Sequence, residues 1–573
     1  MKPALTILIV GGYGTFGGRI VELLEANAAL ALIVSGRSMA KAEAFCRSRA
    51  GAAATLTPAP FDRNGDVAAQ IAAAKPDLLI DASGPFQAYG DGAYRVIEGC
   101  IGVGVNYLDL ADGSAFVAGV KAFDEQAKAA GVYALSGVSS VPALSAAAVR
   151  RLSIGMNRVD GIRGGIAPSP YARVGENVVR AIASYCGQPV PIKKNGEATE
   201  GYPLTEQIRY TIAPPGRLPL RKKLFSLVDV PDLQALRDLW PEAEDIWFGA
   251  GPVPEILHRC LIGLAWLVRW KLIGSLTSIA GLMHRVTNAL RWGEHRGGMF
   301  IEVIGAGERS APVKRSWHLV AEGDDGPLIP SMASEAIVRR ILSGRPPAAG
   351  ARAATGDLEL DDFEAVFASR TIFTGVREDM PAGAGLYRRI LGAAYEALPA
   401  AIRDLHEADV AEGEASVERG TGALASIAAK LVGFPHTTAR APVRVTFGRV
   451  GGTETWTRAF SGENLASEQF AGTGRSDSLL VERFGPLQFS MALVVDGAKL
   501  ALKLRRWTAF GIPMPMGPAP RFEAFESADD GLFRFHVDIR HPLTGLLVRY
   551  RGWLKPPSAS GGESARPEVA EAT

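Results

Sequence analysis

The chain has 573 residues, with 62 Lys+Arg against 60 Asp+Glu, 47% hydrophobic and 21% charged residues. At about 100–200 residues per domain, that length predicts roughly three or four domains. A formal charge of +2 excludes a long polyanion-binding groove as the main business of the chain, and nothing supports a nucleic-acid partner. The hydrophobic content excludes a mostly disordered protein. Cys46, Cys100, Cys186 and Cys260 stand singly. That pattern argues against bound metal and a disulfide framework and fits reduced thiols in a cytoplasmic enzyme.

Met1 and Lys2 before an apolar run have the charge order of a signal peptide. The run is short and leads straight into Gly11-Gly12-Tyr13-Gly14, so no signal peptide is expected. Residues 6–10 read as a buried parallel strand. Gly12-x-Gly14-x-x-Gly17 follows, and residues 19–26 carry Ile20, Leu23 and Leu24 at helical spacing. Between a strand and an amphipathic helix, such a loop reads as a dinucleotide site. Gly12 would allow the tight turn, Gly14 the approach of a pyrophosphate, and Gly17 close helix–strand packing. Tyr13, Thr15 and Phe16 complete the loop, whose helix N-terminus offers amides to phosphate. An ordinary glycine-rich turn is the alternative.

A second strand over 30–34 ends in Ser35-Gly36-Arg37-Ser38. An NAD site usually places a carboxylate here for the ribose 2′-hydroxyl. This sequence instead offers Ser35, Arg37 and Ser38, and a charge-assisted bond from Arg37 to a 2′-phosphate is worth about 1.5–3 kcal/mol. The expected cofactor is NADP(H) rather than NAD, unless Arg37 only opens a helix on a solvated face.

Strand–helix alternation continues. A third strand leads to 59–62, with Asp62 at its end, and a helix covers 65–74. A fourth strand at 77–81 ends in Ser83-Gly84-Pro85-Phe86. Then follow a helix at 93–100, a strand at 105–110, a helix at 114–130 and a strand at 132–136. This is an α/β pattern, a doubly wound parallel Rossmann sheet over residues 1–150. The loops at 83–86, 107–113 and 137–142 should line the nicotinamide end. Asp62, Ser83, Gly84, Pro85 and Phe86 are therefore cofactor-binding candidates. Tyr107, Asp109 and Ser139 are the catalytic candidates, although Asp109 could equally hold its loop by accepting backbone N–H bonds. No Tyr-x-x-x-Lys pair exists at Tyr107, so the short-chain dehydrogenase mechanism is not supported.

The Gly12–Gly17 loop, Gly84-Pro85-Phe86 with Gly90, Cys100, Tyr107-x-Asp109, Phe123, Gly131 and Gly137-x-Ser139-Ser140-x-Pro142 together resemble the saccharopine dehydrogenase-like family. Gly297-Gly298, Trp317-x-Leu319 and Gly326-Pro327-x-Ile329-Pro330 resemble its downstream half. The resemblance implies a Rossmann domain, a nicotinamide cofactor and an α+β domain closing over the substrate. It does not imply saccharopine itself. Phe86 replaces the usual Tyr after Gly-Pro, and Asp112-Gly113-Ser114 replaces the usual acidic residue after Asp109.

Residues 151–345 lose the alternating rhythm and fit that α+β substrate domain, with loops and turns over 189–219. Within 254–292, Trp266, Trp270 and Trp292 are interleaved with Arg259, Arg269, Lys271, Arg285 and Arg291 beside apolar stripes. The runs are too short to span a bilayer. Their composition is that of a helix lying on a membrane surface, or of a helical pair packed on a domain or a second subunit, so a homodimer is also open. Residues 346–384, opening on an Ala/Gly/Pro-rich stretch, read as a linker.

From 385 to 555 a helical stretch (386–406), a second near 421–431 and period-two strands follow, among them Val443-x-Val445-x-Phe447 and Phe533-x-Phe535-x-Val537-x-Ile539. They predict an antiparallel β domain, a curved sheet or partly closed barrel. Glu454-x-Trp456-x-Arg458-x-Phe460, Glu482-x-Phe484-Gly485-Pro486 and Tyr550-Arg551-Gly552-Trp553 resemble an uncharacterised domain found behind saccharopine dehydrogenase-like regions in bacteria. Its aromatics could hold a hydrophobic ligand or simply form the core. Residues 556–573 read as a disordered tail.

The function expected is an NADP(H)-dependent oxidoreductase acting on a C=N, C=O or C=C bond of a small, hydrophobic substrate. The resemblance also allows an enoyl reductase acting in trans on lipid acyl groups. A non-catalytic NADP-sensing, ligand-binding protein is the other class. The expected site is cytoplasmic, with peripheral membrane contact through 254–292.

Overall fold

A computed structural model describes residues 3–172, 175–252, 254–381, 383–422, 433–460 and 462–557. The protein divides into two units: residues up to Pro214 with Leu220–Glu378, and Pro215–Pro219 with everything from Asp379 onward.

The first unit holds two sheets. One is wholly parallel and contains β1 (Leu5–Val10), β2 (Leu30–Gly36), β3 (Thr55–Pro60), β4 (Leu78–Asp81), β5 (Asn106–Asp109) and β6 (Tyr133–Ser136). They lie in the order β3-β2-β1-β4-β5-β6, so the direction of winding reverses between β1 and β4. Ile7, Leu8 and Ile9 of β1 are almost fully buried, as a strand covered on both faces requires. Removing each such side group from water contributes about 1.5–3 kcal/mol. Helix α1 (Thr15–Leu24) buries Ile20, Val21, Leu23 and Leu24 and starts four residues before the predicted 19–26. The single helix predicted over 114–130 is three pieces, Ser114–Gly119, Val120–Phe123 and Asp124–Ala129.

The linker expected over 346–384 is not one. Gly350–Ala353 pairs parallel with β6 and completes the first sheet. Leu360–Phe367 is a helix, and Ile372–Glu378 is a strand of the second sheet. Small residues made the stretch look featureless, yet Ala351 is buried, and a Cβ on Gly350 would lie 2.4 Å from Asp124 Oδ1. Close packing, not low complexity, selects glycine there.

The second sheet is mixed and has nine strands, with Arg158–Ala167, Gly297–Ala306 and Pro312–Ala321 antiparallel at its centre. Residues 189–219, expected as loops, contribute strands Val190–Lys194, Glu197–Gly201 and Gln207–Tyr210. Asn195 and Gly196 both take positive φ (52° and 79°) and turn the first two into a hairpin. Val190 and Ile192 face inward while Pro191 is exposed, so the proline within this strand sits on the outer face.

Residues 254–292 form helices Glu255–Arg269 and Ala280–Ala289 joined through the short turn Thr277–Ile279. Ala265, Val268, Leu276 and Ala280 pack inward with Ala183 and Cys186. Ile256, Trp270, Leu272, Leu282, Leu290 and Trp292 remain exposed. No described helix is long and apolar enough to cross a membrane.

The second unit is an antiparallel barrel. Around the ring lie Leu487–Asp496, Leu480–Phe484, Glu463–Ala471, Thr453–Phe460, Thr438–Val450, Val410–Arg419, Gly545–Lys555, Leu532–His541, Arg521–Asp529 and Lys499–Ala509. The last strand pairs back with the first, which closes the ring. Along Thr438–Val450 the residues Ala441, Val443, Val445 and Phe447 point inward and their neighbours outward. The helical stretch over 386–406 is broken: Leu386–Leu391 ends at Gly392 (φ 56°), and Ala400–Glu407 restarts after Pro399. The second predicted helix lies largely outside the described residues, as do 558–573 of the predicted tail.

Candidate active site

At the β1/β4 switch point the first unit opens a cleft of about 860 Å³. Its floor is the loop after β1. Gly11, rather than Gly12, makes the tight turn, at φ 73°. Gly12 is a packing glycine, since a Cβ on it would stand 2.9 Å from Ile9 O and Val34 Cγ1. At Gly17 a Cβ would lie 2.2 Å from Gly11 O, so only glycine lets α1 approach its strand. Gly14 is the N-cap of α1, and it brings no side group to cap that end. The first-turn amides of Thr15, Phe16 and Gly17 are thus left for an anion, and Gly14, Thr15 and Phe16 line the cleft.

The end of β2 behaves differently from the sequence reading. Ser35 is buried and donates its hydroxyl to Ile9 O, and Ser38 caps the helix Met39–Ser48 by accepting from Lys41 N. Neither lines the cleft. Tyr13 does, and it occupies the space beside Gly36: a Cβ on Gly36 would stand 2.6 Å from Tyr13 Oη, which accepts from Ser38 N at 3.0 Å. Arg37 is exposed at the cleft wall and has no partner among the described residues. Asp62 also lines it, one carboxylate oxygen accepting from Asn64 N.

Ser83, Gly84, Pro85 and Phe86 form the next wall, together with Gln87, Tyr89, Asp112 and Ser139. Here lies a hydrogen-bonded relay that sequence reasoning missed. Asp81 is buried, and its Oδ1 accepts from Ser83 N at 2.9 Å and Ser83 Oγ at 2.5 Å. Ser83 Oγ in turn lies 2.9 Å from Tyr89 Oη. The Arg63 guanidinium sits 3.1 Å from the centre of the Tyr89 ring, and Phe86 and Phe116 pack edgewise on it. Burial and the nearby Asp81 charge push the Tyr89 phenol above its ordinary range. Asn177 donates to Gly84 O, and Gln87 donates to Asp112, whose carboxyl burial raises.

Two of the three sequence-nominated catalytic residues do not reach the cleft. Tyr107 is 1% exposed in the core beneath the sheet, its phenol pushed far up by burial. Asp109 Oδ1 accepts from Ala111 N, Gly137 N and Ser136 Oγ, so the residue ties two loops together. Burial outweighs those three bonds and raises its carboxyl to about 7. Ser139 alone lines the cleft. The signal for Tyr89 was the glycine-rich run after Gly84-Pro85-Phe86, which marks a loop folded back over the strand end.

Residues 7–135 match the family model described as saccharopine dehydrogenase NADP binding domain, and residues 398–554 match a domain of unknown function (DUF4166). No curated protein matches the sequence. Similar solved structures include apo saccharopine dehydrogenase (L-Glu forming) from Saccharomyces cerevisiae, at 13% identity and TM-score 0.48 over 65% of this chain and 100% of that one. Another is a meso-dapdh mutant of Clostridium tetani E88, at 13% identity and TM-score 0.31 over 63% of this chain and 96% of the other. A probable dehydrogenase from Thermotoga maritima shares 10% identity at TM-score 0.31 over 63% and 93%. Most of the amino-terminal parallel sheet thus carries the match to the saccharopine dehydrogenase NADP binding domain, and the carboxyl-terminal barrel carries the match to DUF4166.

Proposed function

We propose that this protein is an NADP(H)-dependent oxidoreductase that transfers a hydride between the nicotinamide and a C=O or C=N bond of a small hydrophobic substrate. The observation that carries this reading is one cleft holding three parts: the uncapped N-terminus of α1, the exposed Arg37, and the Asp81–Ser83–Tyr89 relay. The residues fit the cofactor, because the glycine loop leaves amides for the pyrophosphate and Arg37 stands at the strand end where a 2′-phosphate would fall. When bound, the nicotinamide supplies or accepts the hydride. Tyr89 holds a proton at Oη through the neutral range, donated to Ser83 Oγ in the resting site, and turns it to the substrate oxygen or nitrogen as that atom gains electron density. Ser83 orients the phenol, Arg63 fixes its ring, and Asn177, Gln87 and Ser139 offer polar contacts for orienting the substrate.

Titration of nicotinamide fluorescence tests the cofactor assignment. NADPH is expected to bind one to two orders of magnitude more tightly than NADH, from the roughly 1.5–3 kcal/mol of a charge-assisted bond. Arg37→Ala should bring the two affinities together. Equal affinities in the unaltered protein would overturn the NADP assignment.

The exposed side groups of 254–292 favour a lipid-derived substrate, and with it the second activity, reduction of a carbon–carbon double bond in an acyl group at a membrane. Ile256 and Trp270 lie on one face of their helix, Leu282 and Arg285 on one face of the next. Lys271 and Arg285 are exposed and have no carboxylate partner among the described residues, which suits an anionic lipid surface. The protein should float with anionic liposomes at low salt, and the double variant Trp270→Ser, Leu282→Ser should stay in the pellet fraction. Failure of the unaltered protein to float would remove the membrane contact while leaving the cofactor assignment standing.

A further inference from the structure

The barrel encloses a cavity with room for about 90 Å³ of water-molecule centres, a space for several waters at ~10–15 Å³ each. Its lining is apolar and aromatic on most sides, with Val443, Phe460, Met491, Phe522, Phe533 and Phe535 among the contributors. Polar residues are set into that lining, among them Tyr387, Arg458, Gln469, Glu482, Glu526 and Tyr550, all buried or nearly so. An apolar pocket with a few converging polar groups is the usual form of a small-molecule site.

The hydrogen bonds in this cluster are lopsided. Glu482 Oε1 accepts three: from Arg458 at 3.2 Å, Ser467 at 2.7 Å and Gln469 at 3.1 Å. Tyr387 Oη donates to Gln469 Oε1 at 3.0 Å, and Arg458 also donates to Ser467. His406, stacked on Tyr387 at 3.7 Å, holds Glu526 Oε2 at 2.7 Å. These donors are spent on protein acceptors. The second oxygen of each carboxylate, Glu482 Oε2 and Glu526 Oε1, has no protein partner among the described residues. Neither oxygen is sealed away from the cavity as a buried orphan atom. A buried carboxylate oxygen demands a donor.

We propose that the barrel binds an apolar small molecule whose polar head donates hydrogen bonds, an amine or an alcohol, with the head on Glu482 and Glu526 and the body among the phenylalanines. A fatty acid is the wrong complement, because its carboxylate would face two like charges. Nothing in this site involves the nucleotide cleft, so the two are tested separately.

The test uses the full-length protein and N-phenyl-1-naphthylamine, an apolar fluorescent amine, with NADPH added only at the end of each titration. One probe should bind per protein molecule. Dodecylamine and dodecanol should displace it, and dodecanoic acid should do so at least about tenfold less well. Glu482→Gln, nearly the same shape, should narrow that amine-over-acid preference. Ala524→Trp, which fills the cavity, should weaken the probe about tenfold or more while leaving NADPH affinity unchanged. Val537→Phe should act the same way if Ala524→Trp fails to fold. Displacement of the probe by NADPH would overturn the proposal. So would full binding in both filled variants, or an acid that competes as well as the amine.

Discussion

Gly17→Ala is expected to abolish nicotinamide binding, raising Kd at least about a hundredfold, and to destabilise the first unit by about 1–3 kcal/mol. The added Cβ would fall 2.2 Å from Gly11 O and 2.7 Å from the Gly12 Cα. Both contacts are backbone, so neither can swing away. Helix α1 must lift off its strand, and its first-turn amides move with it. The neighbouring Gly18→Ala is the control. Its Cβ would meet the Phe45 ring at 3.4 Å, ordinary contact, and alanine is the better helix former by about 1 kcal/mol. Fluorescence titration and thermal unfolding should therefore separate two adjacent glycines cleanly. A Gly17→Ala protein that binds NADPH normally would show that α1 does not hold the pyrophosphate.

Tyr89→Phe should lower kcat about 10²–10³-fold on any carbonyl or imine substrate the protein reduces, with NADPH affinity changed less than about twofold. The ring and its contacts with Arg63 and Phe86 survive the substitution, and only the hydroxyl is lost. The pH profile carries a second check. The Tyr89 pKa is raised above its ordinary 10.0, chiefly by burial. The proton-bearing form is the active donor for reduction, so its contribution is full through neutral pH and declines only on the alkaline side, above pH 10. A panel of carbonyl, imine and enoyl compounds, read with stereospecific isotope exchange from NADPH, provides the assay. Tight NADPH binding with no turnover anywhere on the panel would favour the sensor class over the enzyme. Turnover indifferent to Tyr89→Phe would place the proton donor elsewhere in the cleft.

The nucleotide half of the site was legible because its signals are local. Strand, glycine loop and helix lie within consecutive residues, and each glycine answers to a contact a few residues away. The catalytic half was misjudged because strand ends were taken as cleft walls. Tyr107 and Asp109 do sit at such an end, with Asp109 opposite Asp81 in register. Both faces of this sheet are covered, however, so a residue at a strand end can be spent on packing or on holding loops. The residue that reaches the cleft, Tyr89, lies in an irregular loop with no period to read. Gly350–Ala353 escaped for another reason: it pairs with β6 from far along the sequence, and pairing of that kind leaves no trace in local composition. In the barrel the alternation marked strands such as Thr438–Val450 and Leu532–His541, whereas closure depends on Val410–Arg419 meeting Gly545–Lys555 from the far end of the sequence.

That distant strand has a consequence for how the protein is made. Translation delivers β6 long before Gly350–Ala353, and in the interval most of the second sheet has to be synthesised. Until then β6 presents an open hydrogen-bonding edge, the kind of surface that recruits other polypeptides. The nucleotide domain is thus a fold whose last strand arrives late on the ribosome, and expressing residues 1–150 alone would leave that edge open for good.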